Sequence, residues 1–157
     1  VLDFGSRPAQ FTDETMRFDI DADGALDDLP VLDSHGGVLV IDHNQDGEIN
    51  DGTEVVGALS GDGFADLRAL DQDQNQWLDE GDDAFQKLRL WTWDEDGESH
   101  LSGLMEMGVG AIYLGAVQAQ FTQKDDAQNT VAQQQALSVY LRESGEAGSI
   151  RQVDVTA

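Results

Sequence analysis

Oxygen-bearing side chains recur at alternate positions three times in the first half of the chain. The copies are D-I-D-A-D-G from Asp19, D-H-N-Q-D-G from Asp42 and D-Q-D-Q-N-Q from Asp71. A hard cation such as Ca2+ takes about six to eight oxygens converging on one point, and a tight loop with Asp or Asn at positions 1, 3 and 5 supplies them. The chemistry these residues point to is calcium binding, with two or three ions.

In the second loop Asp42, Asn44 and Asp46 occupy positions 1, 3 and 5, Gly47 allows the sharp turn, and Glu48 offers its backbone carbonyl at position 7. Position 12 is Thr53, so the natural closing carboxylate is Glu54, one residue later, with Gly52 giving room for a bulge. The third loop sets out Asp71, Asp73 and Asn75, with Trp77 at the backbone position and Asp82 at position 12. Gln76 stands there where a glycine usually turns the chain, which asks a residue with a Cβ to take a positive φ at about 1 kcal/mol. The first loop offers Asp19, Asp21, Asp23 and the Ala25 carbonyl, but its position 12 is Pro30. Asp27, or Asp28 beside it, must then complete the shell directly, which makes this a calcium hairpin loop. Asp94, Asp96 and Gly97 hint at a fourth loop whose first position would be Thr92 and whose closing positions are Gly103 and Leu104. That loop is expected to hold nothing.

Charge and composition narrow the alternatives. The chain has 157 residues and a formal charge of −24, and residues 18 to 67 contain no Lys or Arg. So many like charges in one body repel one another, and bound cations would relieve them. Nucleic acid is excluded as a partner because it needs a positive footprint. Membrane insertion is excluded as well, since no apolar run approaches the roughly 20 residues a spanning helix needs. The absence of cysteine removes disulfides and thiolate metal sites. A start at Val1, with neither Met nor a signal sequence, suggests a piece of something longer. His35, His43 and His100 are not spaced to share a metal. Trp77, Trp91 and Trp93 could form a stacking platform, but Trp91 follows Leu88 and Leu90 and fits a core better.

The loops need elements to hold them. Met16 to Asp19 and Val38 to Ile41 read as short strands feeding the first and second loops. Phe64, Leu67 and Leu70 repeat every three residues before Asp71, and Phe85, Leu88 and Trp91 do so after Asp82. That spacing predicts helix, loop, helix, the EF-hand arrangement. A further helix is expected over His100 to Met107, broken by Gly108 and Gly110 before a strand at Ala111 to Leu114. Gln118 to Gln135 is polar, with a Lys124-Asp125-Asp126 turn, and reads as a loop or weak linker. Ala136 to Leu141 and Ile150 to Val155 alternate apolar and polar residues and predict a hairpin. The expected class is α+β: small β-hairpin and sheet elements with short helices, EF-hand-like loops in the first two-thirds and a β-rich C-terminal third. A single domain over 1–157 is expected, with its loop part at about 16–100 and its β-rich part at about 108–157.

The order R-F-D-I-D-A-D-G, then G-V-L-V-I-D-H-N-Q-D-G-E-I-N-D-G-T-E, then L-D-Q-D-Q-N-Q-W-L-D-E-G-D-D-A-F-Q-K-L-R-L-W resembles the EF-hand-like calcium-loop domain of large secreted bacterial proteins of the haemolysin-type (RTX) and adhesin kind. The resemblance continues through G-V-G-A-I-Y-L-G and S-I-R-Q-V-D-V. It implies that Glu54 closes the second loop and Asp82 the third. It also implies an exported stabilising or spacing module, not an enzyme, folded by calcium outside the cell and joined to other domains of the same polypeptide. Two other functions fit parts of the sequence. One is a calcium-switched protein-interaction module, and the other an acidic extracellular hydrolase using a pair of carboxylates.

Overall fold

Alternation of side chains across a pleated strand explains why this chain folds around two separate apolar clusters. In the L-R-L-W-T-W stretch, Leu88 and Leu90 fall on one side and Trp91 and Trp93 serve the other, and all four are buried. Leu39 and Val40 divide in the same way one strand over. The sheet they share is therefore covered on both faces.

The computed structural model describes residues 1–4, 7–124, 127–128 and 130–155. Its elements in chain order are β1 (Leu2–Asp3), β2 (Phe11–Phe18), β3 (Asp27–Leu32), β4 (Gly36–Ile41), α1 (Gly63–Arg68), β5 (Trp77–Asp79), β6 (Leu88–Trp93), β7 (Ser99–Gly103), β8 (Val109–Tyr113), β9 (Val117–Lys124), β10 (Thr130–Arg142) and β11 (Ala147–Val155). Short 3₁₀ turns lie at Gly52–Glu54 and Asp83–Lys87. Nine strands form one antiparallel sheet in the order β5-β8-β10-β11-β1-β4-β6-β7, with β9 on the other stretch of the long β10, and the sheet curls into a half-barrel. The β2–β3 hairpin is a sheet of its own.

One face of the curled sheet buries Leu39, Leu88, Leu90, Ile112 and Tyr140 with Phe64 and Leu67 of α1 and with Leu78 and Phe85 around the third loop. The other face carries the hairpin, whose Phe18, Leu29, Val31 and Leu32 meet Val40, Trp91 and Trp93. A buried ion pair joins the ends of the chain. Asp3 accepts from Arg151 Nη2 at 2.7 Å and Nε at 2.9 Å, from Ser149 Oγ at 2.6 Å and from the Ala9 N–H at 2.8 Å. A buried charge persists only where its lone pairs are met in this way.

The expected α+β class with EF-hand helices is wrong. Strands account for 46% of the chain and helical turns for 10%, so the protein is mostly β with essentially one helix. That helix, α1, precedes the third loop as expected and is capped by the Asp62 side chain, which accepts from the Ala65 N–H. The helix expected after the loop is instead a 3₁₀ turn running into β6. Phe85, Leu88 and Trp91 keep a spacing of three, but Leu90 and Trp93 are buried too, and that set fits a strand with both faces covered. The helix expected over His100 to Met107 is β7 paired to β6, then a turn in which Leu104 is buried while Met105 and Met107 are exposed. Gln118 to Gln135, expected as a loop, supplies β9 and the start of β10. Its many glutamines gave it the composition of a polar linker and outweighed the alternation of Val117, Ala119 and Phe121. Asp125 and Asp126 of the expected turn lie outside the described residues.

Candidate metal centre

The three acidic loops share one backbone conformation. Ala22, Gln45 and Gln74 at position 4 have φ of 56°, 57° and 55°, and Gly24, Gly47 and Gln76 at position 6 have 91°, 80° and 68°. Two left-handed residues in six turn the chain back on itself. The side chains then hold that turn. The position-6 N–H donates to the first aspartate in every loop: Gly24 to Asp19 at 2.9 Å, Gly47 to Asp42 at 2.8 Å and Gln76 to Asp71 at 2.9 Å. The position-5 N–H donates to position 3 at 3.2 Å in all three, on Asp21, Asn44 and Asp73. The position-7 N–H, from Ala25, Glu48 or Trp77, donates to Asp23, Asp46 or Asn75 at 2.7 to 2.9 Å. The backbone thus orients the side chains at positions 1, 3 and 5, and in the first two loops it binds both oxygens of the position-1 aspartate, the position-5 N–H donating at 3.0 Å to Asp19 and 3.3 Å to Asp42.

Closure separates the loops. Glu54, 4% exposed, accepts from the His43 N–H at 3.1 Å and from the Asn50 N–H at 2.7 Å. Asp82, fully buried, accepts from Gln72 at 2.8 Å and from Asp79 at 3.1 Å. Those donors stand at positions 2 and 9 of their loops in both cases. The one-residue displacement of Glu54 and the shorter side chain of Asp82 reach the same geometry. In the first loop Asp27 begins β3, opposite Phe18, and Asp28 lies 3.9 Å from Arg17. The first loop leans instead on the second, with the Gly52 N–H donating to the Asp19 carbonyl at 2.8 Å.

Among the described residues two sets of three carboxylates bring oxygens within 4.8 Å of one another: Asp19, Asp21 and Asp23, and Asp71, Asp73 and Asp82. Asp27 is not in the first set. The second loop contributes no such set, although Asp42, Asp46 and Glu54 give it as many carboxylates as the third. There the Asn44 amide nitrogen bridges Asp46 at 3.2 Å and Asn50 at 2.8 Å.

Charge crowding shows in the acids themselves. Asp73 has its pKa raised, first by desolvation, then by its hydrogen bond with Asp71 and the charges of Asp82 and Asp71. Asp21 is raised as well, first by desolvation and further by the charges of Asp23 and Asp27. Asp46 is lowered, chiefly by the Glu48 N–H. In the third loop Asp71 Oδ1 is buried with no hydrogen-bond partner. An acceptor in that state lacks a positive neighbour, and a divalent cation would supply one.

The Asp94 turn is different in kind. Asp94 Oδ1 accepts from the N–H groups of Asp96 and Glu98, and Oδ2 lies 2.9 Å from His100 Nε2. Its carboxylate caps the β6–β7 turn.

Sequence reasoning missed the left-handed residues at position 4 and the donors at positions 2 and 9. Only the shared register of the three loops could have signalled them. Fold and loops together define a class: a mostly β protein whose acidic loops hang from the ends of its strands. A family model described as the SPM domain matches residues 1–156, and the chain belongs to that family. No curated protein matches the chain.

Proposed function

We propose that the chain is a calcium-binding structural module of a larger secreted bacterial protein, stabilised by the ion and carrying out no chemistry of its own. The observation that carries this is the third loop. Three carboxylates converge within 4.8 Å around a fully buried Asp82 and an unpartnered Asp71 oxygen. Asp71, Asp73, Asn75 and Asp82 would hold the ion there with the Trp77 carbonyl. Asp42, Asn44, Asp46, Glu54 and the Glu48 carbonyl would form the second site, and Asp19, Asp21, Asp23 and the Ala25 carbonyl the first. Oxygen-only donor sets of this kind suit a hard cation, and Ca2+ accepts their irregular geometry more readily than Mg2+ does.

An ion that binds the folded chain alone stabilises it by mass action. At a hundred-fold excess over the dissociation constant the gain is about 2.7 kcal/mol per site. For a chain of this size that is roughly 5–10 °C in melting temperature. Thermal melts in millimolar calcium and in excess chelator test the reading. A Tm that chelation leaves unmoved overturns it.

A further inference from the structure

We infer that the cleft between the β2–β3 hairpin and the sheet is a binding site for a neutral, apolar small molecule. The cleft encloses about 300 Å³. Its walls come from the hairpin (Met16, Phe18), from the sheet (Val38, Trp91, Trp93), and from Phe64 and Leu67 of α1, which reach it from the other apolar cluster.

Protein interiors are packed to crystal density, with few voids larger than a water. A space of this size is far beyond that. Apolar cavities of about half the volume stay dry and take up benzene, and ligand pockets begin near 300 Å³. One side suits a hydrocarbon guest. Phe18 and Trp91 have ring centroids 5.2 Å apart, and Trp91 and Trp93 4.7 Å apart, tilted by 53° and 43° into an aromatic cluster. The hairpin shares no strand ladder with the large sheet and is held to it by apolar contacts and, at its end, by the Gly52 N–H bond to the Asp19 carbonyl.

Charge decides the class of guest. Arg151 lines the cleft, but its Nε and Nη2 are held by Asp3 and by the Ala9 carbonyl. Asp154 lines it too, on a chain of net charge −24. An anionic amphiphile would meet an unfavourable field and no free counter-charge. A cation would lose its hydration among apolar walls with only the exposed Asp154 to pair with, so a neutral apolar molecule is the class that fits.

N-phenyl-1-naphthylamine is a neutral fluorescent probe, and 8-anilinonaphthalene-1-sulfonate places a sulfonate on the same skeleton. Titrated into the full chain in calcium, the neutral probe should saturate at one per chain, with energy transfer from the tryptophans. The sulfonate should bind about ten-fold weaker or worse, because burying an unpaired charge is costly. Val38→Phe and Met16→Trp, which fill the cleft from opposite walls, should each weaken the neutral probe by about ten-fold while the circular dichroism is unchanged. Absence of saturable binding, equal affinity for the two probes, or full affinity in whichever filled variant folds would overturn the proposal. Repeating the titration in chelator separates it from the calcium reading, because probe binding by a chain whose Tm ignores chelation would leave the cleft standing and the metal sites refuted.

Discussion

The first and third loops carry the same turn and differ in what closes it. Both have left-handed residues at positions 4 and 6, the same N–H donors on positions 1 and 3, and three carboxylates within 4.8 Å. Yet Asp82 seals the third loop from inside the main apolar cluster, beside Leu78 and Phe85, whereas the first loop rests on a carbonyl contact to its neighbour. In the first loop convergence of the acids is thus a local property, written in six residues, whereas in the third it includes the closing Asp82. Closure is tertiary, because a buried carboxylate must be delivered from a later segment of chain.

The sharpest way to break that contrast is to remove the closing acids. Asp82→Ala leaves the part-buried Gln72 and Asp79 N–H bonds without their acceptor and opens a hole at a fully buried position, together about 2–5 kcal/mol. The melting temperature should fall by roughly 5–15 °C in calcium. Glu54→Ala strands the His43 and Asn50 donors and should cost about as much. Asp27→Ala, outside the convergent set, should shift Tm by only a degree or two. Calorimetric melts of the three variants decide the matter, and an Asp27→Ala loss as large as that of Asp82→Ala would show that the first loop is closed after all.

Next in size is the link between the first two loops. A Cβ on Gly52 would sit 1.7 Å from the Ile20 carbonyl oxygen, and main chain cannot yield as a side chain does. Gly52→Ala should therefore cost about 1–3 kcal/mol and lower calcium uptake by the first loop while leaving the third at full occupancy. Isothermal titration with the third loop inactivated by Asp71→Asn reads the loss at the first loop, and titration of Gly52→Ala alone reads the third loop's occupancy. Gln76→Gly works in the opposite direction. It relieves a left-handed residue with a Cβ and should stabilise the chain by about 1 kcal/mol, a gain of a few degrees in Tm.

How far the sequence carried these conclusions follows the same division between local and tertiary. The aspartates at positions 1, 3 and 5 were legible because each side chain bonds an N–H two to five residues away. The strand at Val38 to Ile41 and the helix before the third loop were legible from short apolar patterns. The fold class was not. Phe85, Leu88 and Trp91 match a helical spacing of three, and only pairing of Arg89 with Val40 and Gly103, 49 and 14 residues away, makes that stretch a strand. The β9–β10 pairing left only a short trace, Val117, Ala119 and Phe121 at alternate positions among glutamines. Nor could spacing place Asp27, which begins β3 opposite Phe18, outside the set of Asp19, Asp21 and Asp23 yet near enough for its charge to raise Asp21.

The smallest expected effect discriminates most, because it reverses sign. Asp73 and Asp94 are both loop aspartates, with pKa values displaced in opposite directions. Asp94 is lowered, chiefly by His100, so its contribution to stability is present above the ordinary carboxylate value and is lost as pH falls through the folded one. Asp73 is raised, so in the cation-free chain its contribution is full below the ordinary value and lost as pH rises through the folded one. Near neutral pH Asp73→Asn should therefore raise Tm slightly in chelator, by relieving repulsion from Asp71 and Asp82, and lower it in calcium, by removing a ligand. Asp94→Asn should lower Tm slightly in both, with the loss fading in acid. A pair of melts for each variant checks the signs. If Asp73→Asn moved Tm in the same direction with and without calcium, the third loop would be a hydrogen-bonded turn like that of Asp94, and the difference between a loop built for a cation and one built for its own backbone would disappear.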